Sequence, residues 1–183
     1  MEEKHSPHIR SYTGNDYLAA DFERSEMDAL MEFLPAFLIT LGTFVLMEGA
    51  AWFMHKYVMH GLLWVLHEDH HRPHPGFFEK NDAFFLMFAV PSCLLFIFGS
   101  LDGIDFRFWI GLGILLYGIA YFLVHEVLIH RRFKWFDKTS NVYFRAVRKA
   151  HKVHHKKMYK EDGECFGMLL VPMKYFREAR AAR

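Results

Sequence analysis

Three apolar runs decide what this chain can become. Leu34 to Met54, Ala83 to Leu101 and Phe108 to Ile129 each offer about the ~20 residues needed to cross a ~30 Å hydrocarbon layer. Inside hydrocarbon every backbone N–H and C=O must be satisfied by the protein itself, so runs of this length fold as helices. The expected architecture is all-α, an integral membrane helical bundle of three to four spans. The 52% hydrophobic and 17% aromatic content is rich for a soluble domain of this size.

A length of 183 residues fits one domain. The sequence divides into a polar, acidic N-terminal extension (1–33), a membrane domain (34–176) and a C-terminal tail (177–183), with the tail expected to be solvated. The extension holds eight Asp/Glu and three Lys/Arg, whereas residues 131–183 hold fifteen of the 22 Lys/Arg. The net charge of +1 is thus an average of unlike parts and argues little for nucleic acid, and no nucleic-acid partner is expected. The start lacks the basic and apolar regions of a signal peptide. Cys93 lies in an apolar run and Cys165 in the basic end, with no CxxC or disulfide framework. Any metal ligands must therefore be nitrogen or oxygen.

Ten of the 13 histidines fall into two clusters. His55 and His60 form an H-x4-H pair followed by H-x2-H-H at His67, His70 and His71. The order repeats downstream, with His125 and His130 followed by His151, His154 and His155. If His55 to His71 is one α-helix, steps of about 100° per residue place all five rings within half of its surface. Histidines that only pack or meet solvent need no such gathering; a metal site does. His5 and His8 belong to a solvated segment, and His74 to the Pro/Gly turn after Arg72, so none of these is expected to be a ligand.

The run Arg131, Arg132 and Lys134 marks the cytoplasmic side. Spans two and three then form a hairpin, and both histidine clusters ride on helix extensions at that same face. Val142 to Tyr159 should form a further helix, with Lys149, Lys152, Lys156 and Lys157 facing anionic lipid. Gly163 to Pro172 is an apolar segment placed to cover the site. Gly111, Gly113 and Gly118 allow a neighbouring helix to come close. Glu48 is an ionisable group inside the first span, which is costly unless paired. It reads either as support for a histidine ligand or as an interhelical hydrogen bond.

Ten imidazoles exceed one structural zinc site, and imidazole alone suits zinc, copper, iron and nickel. A nitrogen-rich site for two metals, without thiolate, where membrane helices meet water, favours iron acting with dioxygen on a lipid. A zinc-binding membrane protein or transporter is the alternative of another class, although transporters place their ligands near the bilayer midplane. A pH sensor is a further one.

These boxes resemble the fatty-acid hydroxylase and sterol desaturase superfamily. The longer words MEGAAWFMHKYVMHG, LHEDHHRP, FEKNDAFF, AYFLVHEVLIHRRF and KAHKVHHK resemble the bacterial beta-carotene hydroxylase family in particular. The resemblance implies a non-haem di-iron monooxygenase using O2 and electrons from reduced ferredoxin and its NAD(P)H reductase. It implies oxygen insertion at carbon 3 of beta-ionone rings of a carotenoid drawn from the bilayer, with a fatty-acyl or sterol hydroxylase/desaturase as the alternative. It makes the ten histidines the iron ligands, of which two irons need eight or nine. It also implies a bacterial inner membrane, with the active site facing the cytoplasm.

Overall fold

The computed structural model describes residues 14–72, 76–133, 135, 139–161 and 163–182, with side chains from residue 21. His5, His8 and His74 lie outside the described residues. Helix α1 (Gly14–Phe53) continues into a π-helical segment, Met54–Leu62, and then α2 (Trp64–His71). The hairpin is α3 (Ala83–Phe98) and α4 (Phe106–Tyr121), the latter extended by a second π-helical segment, Phe122–Ile129. Helices α5 (Val142–His155) and α6 (Met173–Ala181) complete an all-helical chain, with no strand among the described residues.

Three helical stretches are long and apolar enough to cross a membrane: Asp21–Leu62, Lys80–Phe98 and Phe106–Ile129. Many of their large apolar side chains, including Leu46, Phe85, Leu86 and Ile97, face outward. That suits hydrocarbon as solvent and would be unfavourable in water. The protein is accordingly an integral membrane protein.

The chain divides into two units, Met1–Leu38 and Ile39–Arg183. In the first, residues 14–33 of the polar extension are helical. Glu23, Glu26, Met27, Ala29, Leu30 and Met31 are good helix formers uninterrupted by Gly or Pro. No separate fourth span appears among the described residues, because this stretch is one helix with the first span.

In the second unit, α1 and α4 run parallel. Thr40 Oγ1 donates to the carbonyl of Trp109 at 3.3 Å, Phe44 meets Tyr117 edge-on, and Tyr117 donates to Glu48 Oε2 at 2.7 Å. A Cβ added at Gly113 would lie 2.6 Å from Thr43, and one at Gly111 3.1 Å from the Ser92 carbonyl. A side chain at 113 would force a shift of the neighbouring helix, and one at 111 would press on it by a few tenths of an ångström. Gly118 departs from expectation: a Cβ there meets nothing within 4 Å, because it borders a cavity.

Asn141 starts α5 by accepting from the amides of Tyr143 and Phe144. Ala146 and Ala150 then pack against Tyr175 and Ala179 of α6. The tail expected to be solvated is therefore largely helix, with Ala179 only 4% exposed.

Candidate metal centre

His55, His60 and His125 sit in the π-helical segments rather than in α-helix, and His130 caps the second. The amide of His130 donates to the carbonyl of His125 at 2.9 Å, and that of Leu63 to Val58 at 2.8 Å, the i→i+5 bonds of a π-turn. An α-helix separates residues five apart by about 140°. A turn closed over five residues instead stacks them on one face, with ring centroids 5.2 Å apart for His55 and His60 and 4.4 Å for His125 and His130. The expectation of one straight α-helix from His55 to His71 is corrected here. Gly61 breaks it with non-helical angles (φ −118°, ψ −106°), turning α2 back over the end of α1.

The parallel register places the two pairs together. Glu48 meets Tyr117 at a sequence separation of 69, and His55 and His60 stand 70 residues before His125 and His130. Depth along the span is thus matched before the H-x2-H-H boxes close over the top.

Nine of the ten histidines form two constellations, whose ring nitrogens lie within 4.8 Å of one another in each. His55, His60, His67, His71 and His154 make the first; His70, His130, His151 and His155 make the second. His125 adjoins the second, its Nε2 3.2 Å from that of His70. Each H-x2-H-H box is split. Its i and i+4 members serve one position and its i+3 member the other, because the adjacent i+3 and i+4 rings point about 100° apart around a helix.

What fits these cages follows from their hydrogen bonds. His55, His60, His71 and His154 donate Nδ1–H to the carbonyls of Phe166, Lys160, Lys157 and Glu164 at 2.8–3.2 Å. A carbonyl only accepts, so Nδ1 carries the proton and Nε2 presents a lone pair. His67 donates likewise to Asn81 Oδ1 at 2.6 Å. Yet Nε2 of His55 faces Nε2 of His67 at 3.2 Å, as do the pairs His67–His71 and His60–His154. Lone pairs held together in a buried space repel unless a cation lies between them. A metal–imidazole bond of about 2.1 Å opens N···N edges of about 3.0–3.4 Å in common geometries, which matches.

Burial together with neighbouring imidazoles pushes His67 and His154 down to about 3 and His71 to about 4. Burial foremost also lowers His155 to about 2 and His130 to about 4. The rings are therefore neutral ligands near pH 7.

Glu48, placed by sequence near the histidines, makes no hydrogen bond to a ring among the described residues. It accepts from Tyr117 and from three consecutive amides, Met168, Leu169 and Leu170. This anchors the 163–170 segment, whose Glu164 and Phe166 carbonyls hold His154 and His55. Cys165 lies between them at φ 62°, in the left-handed region that turns the flanking carbonyls.

Sequence reasoning missed four residues at the site. Asn81 holds His67, Glu79 Oε2 accepts from His70 Nδ1 at 2.7 Å, and Glu126 Oε1 from His125 Nδ1 at 2.5 Å. Arg132 pairs with Glu79, Asp82 and Glu126 at 3.1, 2.9 and 2.9 Å. The signal was present in FEKND and in the adjacent His125-Glu126, since ligating histidines need an acceptor for the second nitrogen.

A cavity of about 880 Å³ leads from these rings into the span region, large even among small-molecule sites. His55, His67 and His125 border it at the metal end; Phe88, Phe96 and Leu115 are among its apolar walls.

Fold and site together define a membrane protein with two histidine cages, the first of which opens through His55 and His67 onto an apolar cavity that His125 also borders. Residues 40–176 match the family described as fatty acid hydroxylase, and the chain belongs to that family of hydroxylase enzymes. It is 40% identical over 134 residues to a beta-carotene hydroxylase of Pseudescherichia vulneris, covering 72% of this chain and 74% of that one. A beta-carotene hydroxylase of Pantoea ananas is also 40% identical, over 74% and 77% of the two chains. A chloroplastic beta-carotene 3-hydroxylase of an Oncidium hybrid cultivar is 40% identical over 77% of this chain and 47% of its own length. No solved structure matches the chain significantly.

Proposed function

We propose that this protein is a non-haem di-iron monooxygenase that hydroxylates carbon 3 of beta-ionone rings, taking beta-carotene through beta-cryptoxanthin to zeaxanthin. The observation that carries the reading is the opening of the first histidine constellation, through His55 and His67, and of His125 beside the second, onto one apolar cavity. The names of the relatives supply the substrate class.

His55, His60, His67, His71 and His154 would hold one iron, and His70, His130, His151 and His155 the other, with His125 beside it. The iron pair, when bound, supplies activation of O2, with electrons from reduced ferredoxin and its NAD(P)H reductase. The chain's own part is to bind, orient and exclude water. Phenylalanines 85, 88 and 96 line a path for a rigid hydrocarbon. The carbonyls of Glu164 and Phe166 fix two rings in their metal-binding tautomer, and Glu48 secures that segment. Arg131, Arg132 and Lys134 favour a cytoplasmic active site in a bacterial inner membrane.

Expression in a beta-carotene-producing host tests the proposal. Zeaxanthin should accumulate, and His67→Ala or His154→Ala should abolish it. Unchanged product from both variants would overturn the reading, and altered fatty acids or sterols without zeaxanthin would move it to the lipid alternative. Metal analysis should find about two irons per chain, as the two constellations require; zinc in their place would favour the non-redox class. Feeding beta-carotene and canthaxanthin separately reads the ring preference.

A further inference from the structure

The two cages differ in what stands behind their rings. Every ring of the first position with a described Nδ1 partner leans on a neutral oxygen: four backbone carbonyls and the Asn81 amide. On the second side, His70 and His125 lean on carboxylates, those of Glu79 and Glu126. The carboxylates come from separate stretches of chain, yet both pair with Arg132, which also holds Asp82. One guanidinium among three carboxylates leaves that side net negative. At the first position Glu48 makes no hydrogen bond to a ring among the described residues; Tyr117 and the amides of 168–170 engage it.

A carboxylate accepting from an imidazole N–H draws the proton toward itself and makes the opposite nitrogen a more basic donor. A net negative surround also stabilises the more highly charged ion in a low-dielectric site. We propose that Glu79 and Glu126, tied together by Arg132, are positioning residues that make the metal positions unequal, so that the second keeps the oxidised ion to lower potential than the first. In a pair given one electron by an external chemical reductant, that electron resides at the first position, reducing one ferric ion to ferrous. The inference deepens the di-iron reading and rests on it.

Purified full-length protein in detergent, loaded with isotopically enriched iron, tests this by Mössbauer spectroscopy during a dithionite titration. The expectation is reduction in two separate steps. Glu79→Gln and Glu126→Gln each keep a hydrogen-bond acceptor while removing charge, and should shift the lower-potential step upward with the other step unmoved. Asn81→Asp is the converse variant: charge placed behind His67 should lower the potential of the first position and narrow the gap. Two irons bound with one indistinguishable step, or potentials unmoved in the glutamine variants, would overturn the inference alone. If a glutamine variant fails to fold, an unchanged gap in Asn81→Asp overturns it equally. Failure of wild-type protein to bind iron would instead remove the di-iron reading beneath it.

Discussion

His67 shows how much one ring depends on its neighbours. Its Nδ1–H has Asn81 Oδ1 as acceptor, so Asn81→Ala leaves a buried donor unsatisfied at a cost of about 1–3 kcal/mol. Loss of such support typically weakens metal binding by about 10–100-fold, and a competition titration with a chelator should read a loss in that range. Acid is a second probe. His67 and His154 sit near 3 in the folded protein, against about 6.5 unfolded. Between those limits the metal-free unfolded chain binds more protons than the folded one. Stability of the metal-free protein should therefore hold above about pH 6.5 and fall steadily on acidification through pH 3, with His155, at about 2, extending the loss further; thermal melts in detergent across that range would show it. The identities of the grouped histidines were legible from spacing alone. Their partition between two positions was not, because it depends on Nε2 directions that only the packed helices define. Glu79, Glu126 and Arg132 stayed hidden because carboxylates and arginine beside a membrane read first as interfacial charge.

Among the elements, the π-helical segments matter most. H-x4-H occurs twice, and a five-residue step is one π-turn, so the spacing held the answer that an α-helical projection discarded. Deleting Val58 should convert Met54–Leu62 toward α-helix while leaving His55 and His60 four apart, still neighbours on one face. The expected outcome is metal content and helix content by circular dichroism both near wild type; a fall in metal content would show that the five-residue turn itself sets the ring positions. Helix α1 tells a different lesson. Its apolar run was plain, but the polar stretch before it contains no breaker, and good helix formers carried the helix back to Gly14. The last residues were read as tail for their charge, whereas Tyr175 and Ala179 at helical spacing give α6 a buried face. Gly113 is where α1 and α4 touch, and Gly113→Leu should destabilise the bundle by about 1–3 kcal/mol through overpacking, measurable as a lowered melting temperature.

For the molecule as a whole, the cavity joins membrane to metal. Gly118 borders it with open space beside its Cα, so Gly118→Leu should fold and keep its metals while filling part of the hydrocarbon path. Melting temperature and iron content near wild type, with carotene binding lost, is the expected result; retained binding would place the substrate elsewhere. The crossing of the boxes carries a consequence for biosynthesis. The first position takes His154 from α5, and the second takes His70 from α2. Neither cage can close on a nascent polypeptide until α5, which also supplies His151 and His155 to the second position, has left the ribosome, so ion capture must follow synthesis of both pairs of boxes. A truncated product ending before α5 would reach the bilayer with its spans formed and no complete place to hold iron.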